Sequence, residues 1–356
     1  MSALPLVGSS WSSGSRTVSR VLSSAAFPFG AFQSGRVSNP TPQKNSAHAP
    51  ALLRSRREFL ALGALALGGC VSPEPVGDAP GDYAATEPVL DIHQHTNYAG
   101  RTDAELIAHQ RALGVTHTVL LPAGRYFGLE AGCGGNDTVV PLARKFPRQF
   151  SFFANEVPYL DGAEVEIKKY LRRGAVGIGE QKFQVDCDSA HLQRVAELAA
   201  EFNVPVLMHF QHDRYNTGIE GFHKVLEKYP RVNFIGHAQT WWANIDAAHA
   251  QPLLYPKTPV TPGGLTDRLL RDYPNMFGDT SAGSGLNAFT RDEAHMRDFL
   301  ARHQDKLLYG SDCTDTIGRG PGCQGAQTIA TIRRLAPSKA IERKLLYENS
   351  KKLFRL

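Results

Sequence analysis

The chain of 356 residues reads as an α/β protein, a (β/α)8 TIM barrel with a metal site at its C-terminal mouth. Two observations predict this. From about Val89 onward, short apolar runs rich in β-branched residues alternate with longer amphipathic stretches, the pattern of parallel βα units. Side chains with metal-ligand chemistry then stand at the ends of those runs: His93 and His95 in VLDIHQH, Glu180 in AVGIGEQKF, His209 in VPVLMHF, His237 in VNFIGHA and Asp312 in LLYGSDC. Barrels of this class bring their catalytic groups from the C-terminal ends of the strands into one shared mouth.

The elements follow in order. A first strand near 88–95 leads to a helix near 102–113, opened by Thr102 with Glu105 three residues on, a capping box. THTVLLP is the second strand, with a Gly-rich loop and a helix near 137–146 behind it. FSFFANEV precedes a helix over about 163–173. The fourth strand, AVGIGEQKF, precedes HLQRVAELAAEF, a helix opened by Asp188 or Ser189. VPVLMHF and a helix near 218–229 form the fifth unit. VNFIGHA is followed by a long loop carrying Trp241, Trp242 and several prolines, then a helix near 263–272. NMFGDTS, a helix near 290–303 and LLYGSD complete the strands, and IERKLLYENSKKLFRL is a terminal helix that closes the barrel.

Side chains alternate along a strand, so His93 and His95 share a face and both imidazoles can reach one cation, with Gln94 pointing away. Imidazole and carboxylate donors together suit Zn²⁺, with Mn²⁺, Co²⁺ or Fe²⁺ as alternatives and one or two ions per chain. Such a cation lowers the pKa of a coordinated water from 15.7 to about 7. Asp312 would take the proton of that water and pass it to the leaving group, while His237 or the cation polarises the scissile carbonyl. Arg125 and Tyr126, after the second strand, are candidates for holding an anionic substrate group. Trp241 and Trp242 are candidates for an aromatic wall, and His212 is a further substrate-facing candidate. The substrate is a small molecule. The remaining histidines read as core or surface residues.

The first seventy residues have a different composition. No Asp or Glu occurs before Glu58, and Ser55-Arg56-Arg57-Glu58-Phe59-Leu60 leads into ALGALALGG and Cys70. The paired arginines, the Phe-Leu and the short apolar run resemble a bacterial twin-arginine export signal. The run is too short for the roughly 20 residues of a spanning helix. Leu67-Gly68-Gly69-Cys70 resembles a lipobox, in which Cys70 is lipidated and begins the mature chain. The stretch ahead of the arginines is long for such a signal, and an upstream start site or a transit peptide would each account for it. Residues 71–88, rich in Pro, Gly and Ala, read as a flexible tether, and 89–356 as one barrel domain of ordinary size.

The whole chain has 39 Lys and Arg against 34 Asp and Glu. Seven of those bases and one acid fall in residues 1–70, which leaves 32 against 33, a net of −1. The basicity belongs to the leader, and the barrel lacks the footprint of a nucleic-acid binder. A membrane would be met only through Cys70, and the oligomeric state stays open, a homodimer included. Four later cysteines, Cys133, Cys187, Cys313 and Cys323, follow the second, fourth and eighth strands. A Cys313–Cys323 disulfide would stiffen the last loop in an oxidising compartment, although spacing alone does not establish pairing.

The ligand series resembles the amidohydrolase superfamily, in its amidohydrolase-related branch of lactonases and decarboxylases, over the whole of residues 89–356. The resemblance implies that His93, His95 and Asp312 bind one metal and that His209 and His237 bind a second metal or the substrate. It also implies a fourth-strand ligand that is a glutamate or a carboxylated lysine bridging two metals. Glu180 and Lys182 both qualify, and GIGE looks like the glutamate of the TatD-like nuclease branch, which favours Glu180. The activity implied is hydrolysis of a small C–O or C–N bond in a lactone, ester or amide. Non-oxidative decarboxylation of a carboxylated small molecule is the alternative, and a non-catalytic metal- or solute-binding surface barrel is the alternative of another class.

The leader predicts an exported enzyme, periplasmic or anchored in a membrane as a lipoprotein. Wild type should fractionate with membranes, since a second acyl chain makes anchoring stable. Arg56→Lys/Arg57→Lys should remain cytoplasmic, and Cys70→Ser should become soluble or stay uncleaved. Identical cytosolic fractionation of all three would show the leader to be misread.

Overall fold

The computed structural model describes residues 87–124 and 132–356. The proposed signal region with Cys70, most of the tether, and Arg125 and Tyr126 lie outside the described residues. The rest is a (β/α)8 barrel. Its strands are β1 (Val89–Gln94), β2 (Val115–Leu120), β3 (Phe150–Phe152), β4 (Ile178–Gln181), β5 (Val206–His209), β6 (Phe234–His237), β7 (Met276–Asp279) and β8 (Leu307–Leu308). Neighbours pair in parallel from β1 to β3 and from β4 to β8. A bridge from Ala154 to Ile178 joins the two sheets. The hydrogen bonds Ile92 N–H to Tyr309 O, 3.0 Å, and Asp312 N–H to His93 O, 2.8 Å, join the last strand to the first.

Helices α1 (Asp103–Leu113), α2 (Asn136–Lys145), α3 (Ala163–Leu171), α4 (Ala190–Phe202), α5 (His223–Lys228), α6 (Gln239–Ala243), α7 (Leu265–Asp272), α8 (Ala282–Arg291) and α9 (Glu293–Arg302) fill the connections. After β8 come α10 (Gln324–Leu335), α11 (Lys339–Arg343), a π-helical turn (Lys344–Glu348) and α12 (Asn349–Phe354). Thr102 caps α1 in the expected box with Glu105, and Ser189, rather than Asp188, caps α4 by accepting from Leu192 N–H. The helix read near 290–303 is α9, capped by the Asp292 carboxylate, and α8 ahead of it was not read from the sequence. No helix among the described residues is long and apolar enough to cross a membrane.

Two cores result. One fills the barrel with Leu90, Ile92, Val119, Phe153, Leu207, Ile235 and Leu308, and Phe354 of α12 plugs its lower end, its ring 5.7 Å from that of Phe153. The other lies between the strands and the helices. On one face of β5, Leu207 is followed by His209; on one face of β6, Ile235 is followed by His237. The apolar floor and the polar mouth are therefore consecutive layers of the same strands.

Trp241 and Trp242 correct the sequence reading. They sit in α6 rather than in an open loop, and they are 0% and 1% exposed. Trp241 stacks on Phe210, ring centroids 6.1 Å apart, and covers Gly236, where a Cβ would come within 2.4 Å of the indole. Trp242 packs on Phe289 and Phe299 and donates from Nε1 to Asp279 O at 2.8 Å. Both are core residues behind the site, not an aromatic wall in front of it. Trp241→Ala should therefore lower stability by about 3–5 kcal/mol in a denaturant titration; a change under about 1 kcal/mol would put the indole back at the surface.

Candidate metal centre

The mouth is assembled from five strands. His93 and His95 come from β1 and the residue after it, Glu180 from β4, His209 from β5, His237 from β6 and Asp312 from the segment after β8. His93 Nε2 and His95 Nε2 are 3.2 Å apart. Glu180 Oε2 lies 3.7 Å from His93 Nε2 and 3.9 Å from His95 Nε2. Asp312 Oδ1 lies 3.8 and 3.5 Å from the same two nitrogens, and its Oδ2 is 3.7 Å from His237 Nε2. On the other side Glu180 Oε1 meets His209 Nδ1 at 2.5 Å and His237 Nε2 at 3.6 Å. The donors form overlapping sets: His93, His95 and Glu180; His93, His237 and Asp312; Glu180, His209 and His237. Glu180 thus belongs to both sides of the cluster, as a bridging carboxylate would.

Hydrogen bonds at the rear aim these rings. His95 Nδ1 is 2.7 Å from Leu121 O, and a carbonyl only accepts, so Nδ1 carries a proton and Nε2 is the nitrogen turned toward the centre, free to bind a cation once its own proton is displaced. His93 Nδ1 donates in the same way to Asp279 Oδ2 at 2.7 Å. His237 Nδ1 stands 3.0 Å from Ser281 Oγ, which itself donates to Asp279 at 2.8 Å. Three imidazole Nε2 atoms and two carboxylates converge. Ligands about 2.1 Å from a shared ion at near-tetrahedral angles are about 3.4 Å apart, close to the His93–His95 spacing. The donor set fits a divalent metal ion.

Electrostatics agree. Burial would raise the Asp279 carboxyl, but His93 and His237 hold it down at about 2. Against the same desolvation, His209 and His93 keep Glu180 well below the usual carboxylate range, and His93 and His95 do so for Asp312. Burial pushes His209 down to about 4 despite Glu180, which leaves it neutral. His93 moves the other way: Asp312 and Asp279 outweigh its burial and raise it well above the histidine range. His95 is raised to about 10, against burial, by Cys133 and Asp312.

Of the other candidates, Lys182 holds its Nζ over the Tyr215 ring at 5.6 Å, and Glu180 is the fourth-strand side chain found in the donor sets. His212 lies beside Asp213, Nε2 to Oδ2 3.2 Å, partly exposed and outside the donor sets. Gln94 points away as expected, donating to Ser311 Oγ at 2.6 Å and to Cys313 O at 3.1 Å.

Four contributors were not read from the sequence. Asp279 and Ser281 close the seventh run, NMFGDTS, and the ligand-at-strand-end rule would have found the aspartate had it been applied there. Tyr98 donates to Asp312 Oδ1 at 2.9 Å and carries no sequence signal; Cys133, whose place after the second strand put it at the mouth without a role, lies against His95. In front of Asp312 opens a cavity of about 460 Å³, bordered by Tyr98, Cys313, Thr314, Asp315 and Gln324.

A family model described as Amidohydrolase matches residues 110–356, more than half of the chain. No curated protein matches. Among solved structures the chain is similar to 2,6-dihydroxybenzoate decarboxylase from Rhizobium, with 16% identity, 76% of this chain and 99% of that one covered and a TM-score of 0.51. It is similar to a probable 2-pyrone-4,6-dicarboxylic acid hydrolase from Acinetobacter baumannii, with 14% identity, 75% and 99% covered and a TM-score of 0.51. It is also similar to an amidohydrolase from Burkholderia multivorans with bound zinc, with 13% identity, 75% and 99% covered and a TM-score of 0.52. At these identities the likeness is one of fold. The family match begins beyond the H-x-H pair, whose place in the cluster rests on the structure.

Because Asp312 and Asp279 raise His93 well above the histidine range, and Cys133 and Asp312 raise His95 to about 10, protons compete with a cation for the same Nε2 atoms. Metal uptake should release protons, and apparent affinity should rise about tenfold per pH unit for each proton displaced between pH 6 and 9, levelling above about 10. Chelator competition at several pH values reads this; affinity independent of pH would contradict the arrangement.

Proposed function

The chain belongs to the amidohydrolase family, and from that premise we propose that it is a metal-dependent hydrolase of a small C–O or C–N bond in a lactone, ester or amide. Zinc is the proposed ion, one or two per chain, with Mn²⁺, Co²⁺ and Fe²⁺ as alternatives. The observation that carries the reading is the placement of Asp312. Its side chain is 13% exposed against 0–6% for its partners, so it is the member of the cluster that faces the cavity. Its backbone adopts φ 43, a left-handed conformation uncommon for aspartate, held by the bond from its own N–H to His93 O. Tyr98 fixes one carboxylate oxygen from the front.

When bound, a divalent ion supplies Lewis acidity, lowering the pKa of water to about 7 and polarising a carbonyl. The residues do the rest. Asp312, kept ionised by the imidazoles around it, accepts the proton of the attacking water and returns it to the departing oxygen or nitrogen. Tyr98 limits the rotation of that carboxylate. Asp279 and Leu121 O hold the rings of His93 and His95 so that their Nε2 atoms face inward. The Nδ1 proton of His237 is taken up by Ser281 and Asp279, which supports a ligand role for its Nε2 over direct hydrogen bonding to a substrate carbonyl.

Decarboxylation of a carboxylated small molecule is the second reading. It draws support from the Rhizobium relative of the same fold, which is a decarboxylase, as the first draws support from the probable hydrolase of Acinetobacter baumannii. Lactones, esters, amides and carboxylated aromatics offered in ¹⁸O-labelled water separate the two: solvent oxygen in the organic product marks the hydrolase, and release of carbon dioxide with no solvent oxygen in the organic product marks the decarboxylase. Asp312→Asn should retain the fold and lose about 10²–10⁴-fold in kcat, with metal content measured alongside. Near wild-type turnover by this variant would refute the role of Asp312.

A further inference from the structure

Behind Asp312, the connection from β8 to α10 meets the buried face of α1 and brings together a second set of donors. Cys313 follows Asp312 directly, Asp315 comes two residues later, Cys323 caps α10, and His109 reaches them from α1. Cys313 Sγ and Cys323 Sγ are 3.8 Å apart. Cys323 Sγ is 3.4 Å from His109 Nε2, and that nitrogen is 3.9 Å from Asp315 Oδ2. The donor atoms of His109, Cys313 and Cys323 all lie within 4.8 Å of one another, and all three residues are buried. A tetrahedral zinc ion with bonds of about 2.3 Å to sulfur and about 2.0–2.1 Å to nitrogen sets its two sulfurs about 3.8 Å apart and each sulfur about 3.5 Å from the nitrogen. The two measured edges are of that size.

We propose that Cys313, Cys323, His109 and, as fourth donor, Asp315 form a structural zinc site separate from the centre at the barrel mouth. The surroundings suit it. Ala326 N–H, in the first turn of α10, points at Cys323 Sγ from 3.4 Å and supports a thiolate there. His109 is fully buried, its Nδ1 has no hydrogen-bond partner among the described residues, and its Nε2 faces only sulfur and carboxylate. A buried imidazole so placed is costly unless it binds something. The disulfide considered from the sequence would need the two sulfurs about 2.05 Å apart; here both cysteines are free.

On binding, the two thiols lose their protons to solvent and each sulfur donates an electron pair to the ion. The consequence is mechanical. Arg101 already donates to Cys313 O at 2.8 Å and to Asp315 O at 3.0 Å. Gly318, at φ +72, lets the loop pass where a Cβ would stand 2.5 Å from His109 O. A zinc ion at this point ties α1 to the segment that carries Asp312 and forms one wall of the cavity.

The test uses the full chain carrying Cys70→Ser and Cys133→Ser, because Cys133 lies beside His95 and would confuse a sulfur signature. Loaded with Co²⁺, this protein should show intense near-ultraviolet thiolate-to-cobalt charge transfer with tetrahedral visible bands. The N/O donor sets of the mouth cannot produce that charge transfer. Zinc content should fall by one equivalent on adding Cys313→Ser, with the remaining equivalents retained. Absence of the charge-transfer band in folded, cobalt-loaded protein overturns the proposal, and needs no substitution at the site itself. So does an intact mass two hydrogens lighter, with Cys313 and Cys323 recovered in one disulfide-linked peptide.

Discussion

Asp279 is the group on which the arrangement of the mouth depends. Its carboxylate is fully buried and receives His93 Nδ1, Ser281 N–H and Ser281 Oγ, with His237 Nδ1 at 3.3 Å. A desolvated carboxylate is tolerable only with such compensation, and the compensating groups are the ones whose orientation the site needs. Satisfying one buried charge therefore turns two imidazoles from β1 and β6 so that their free nitrogens face the same point. The short β7 strand places that charge, and Trp242 braces the Asp279 carbonyl from behind.

A second buried carboxylate, Asp91, does the equivalent work for the seam where the barrel closes. It accepts from the N–H groups of His93 and Ser311, from Ser311 Oγ and from Gln110. Gln94 and Arg101 extend the network to the carbonyls of Cys313 and Asp315. Strand β8 is only two residues long, so little ladder bonding positions the segment that carries Asp312. The side chains of β1 and α1 hold Asp312 and its loop in place, and the cysteines behind it occupy the same junction. Chemistry at the mouth and closure of the barrel are therefore one structural problem.

Much of this was legible in the sequence, residue by residue. The ends of VPVLMHF and VNFIGHA deliver His209 and His237 as read, because period-two alternation is a local property of a strand. Thr102 and Glu105 form their box because capping involves residues three apart. Trp241 and Trp242 were misplaced for the complementary reason. A Trp pair near prolines has the composition of a loop, and only Gly236, whose missing side chain leaves room for an indole, reveals that α6 folds back onto the strands. Lys182 and Glu180 were equal candidates by position, and the neighbourhood of His93 and His209 separates them.

By itself, the sequence determined the order of the elements, the barrel class and the placement of imidazole and carboxylate side chains at the strand ends, since those follow from hydrophobic period, turn chemistry and side-chain type within a few residues. The tertiary structure decided which nitrogen of each histidine faces inward, that Glu180 stands between two groups of donors, that Asp279 and Tyr98 belong to the site, and that His109 of α1 meets Cys313 and Cys323. Each of these depends on a partner distant in the chain, 186 residues for His93 and Asp279 and 214 for His109 and Cys323. Contacts of that kind leave no periodic trace, because they are made by closure of the barrel and not by any one element.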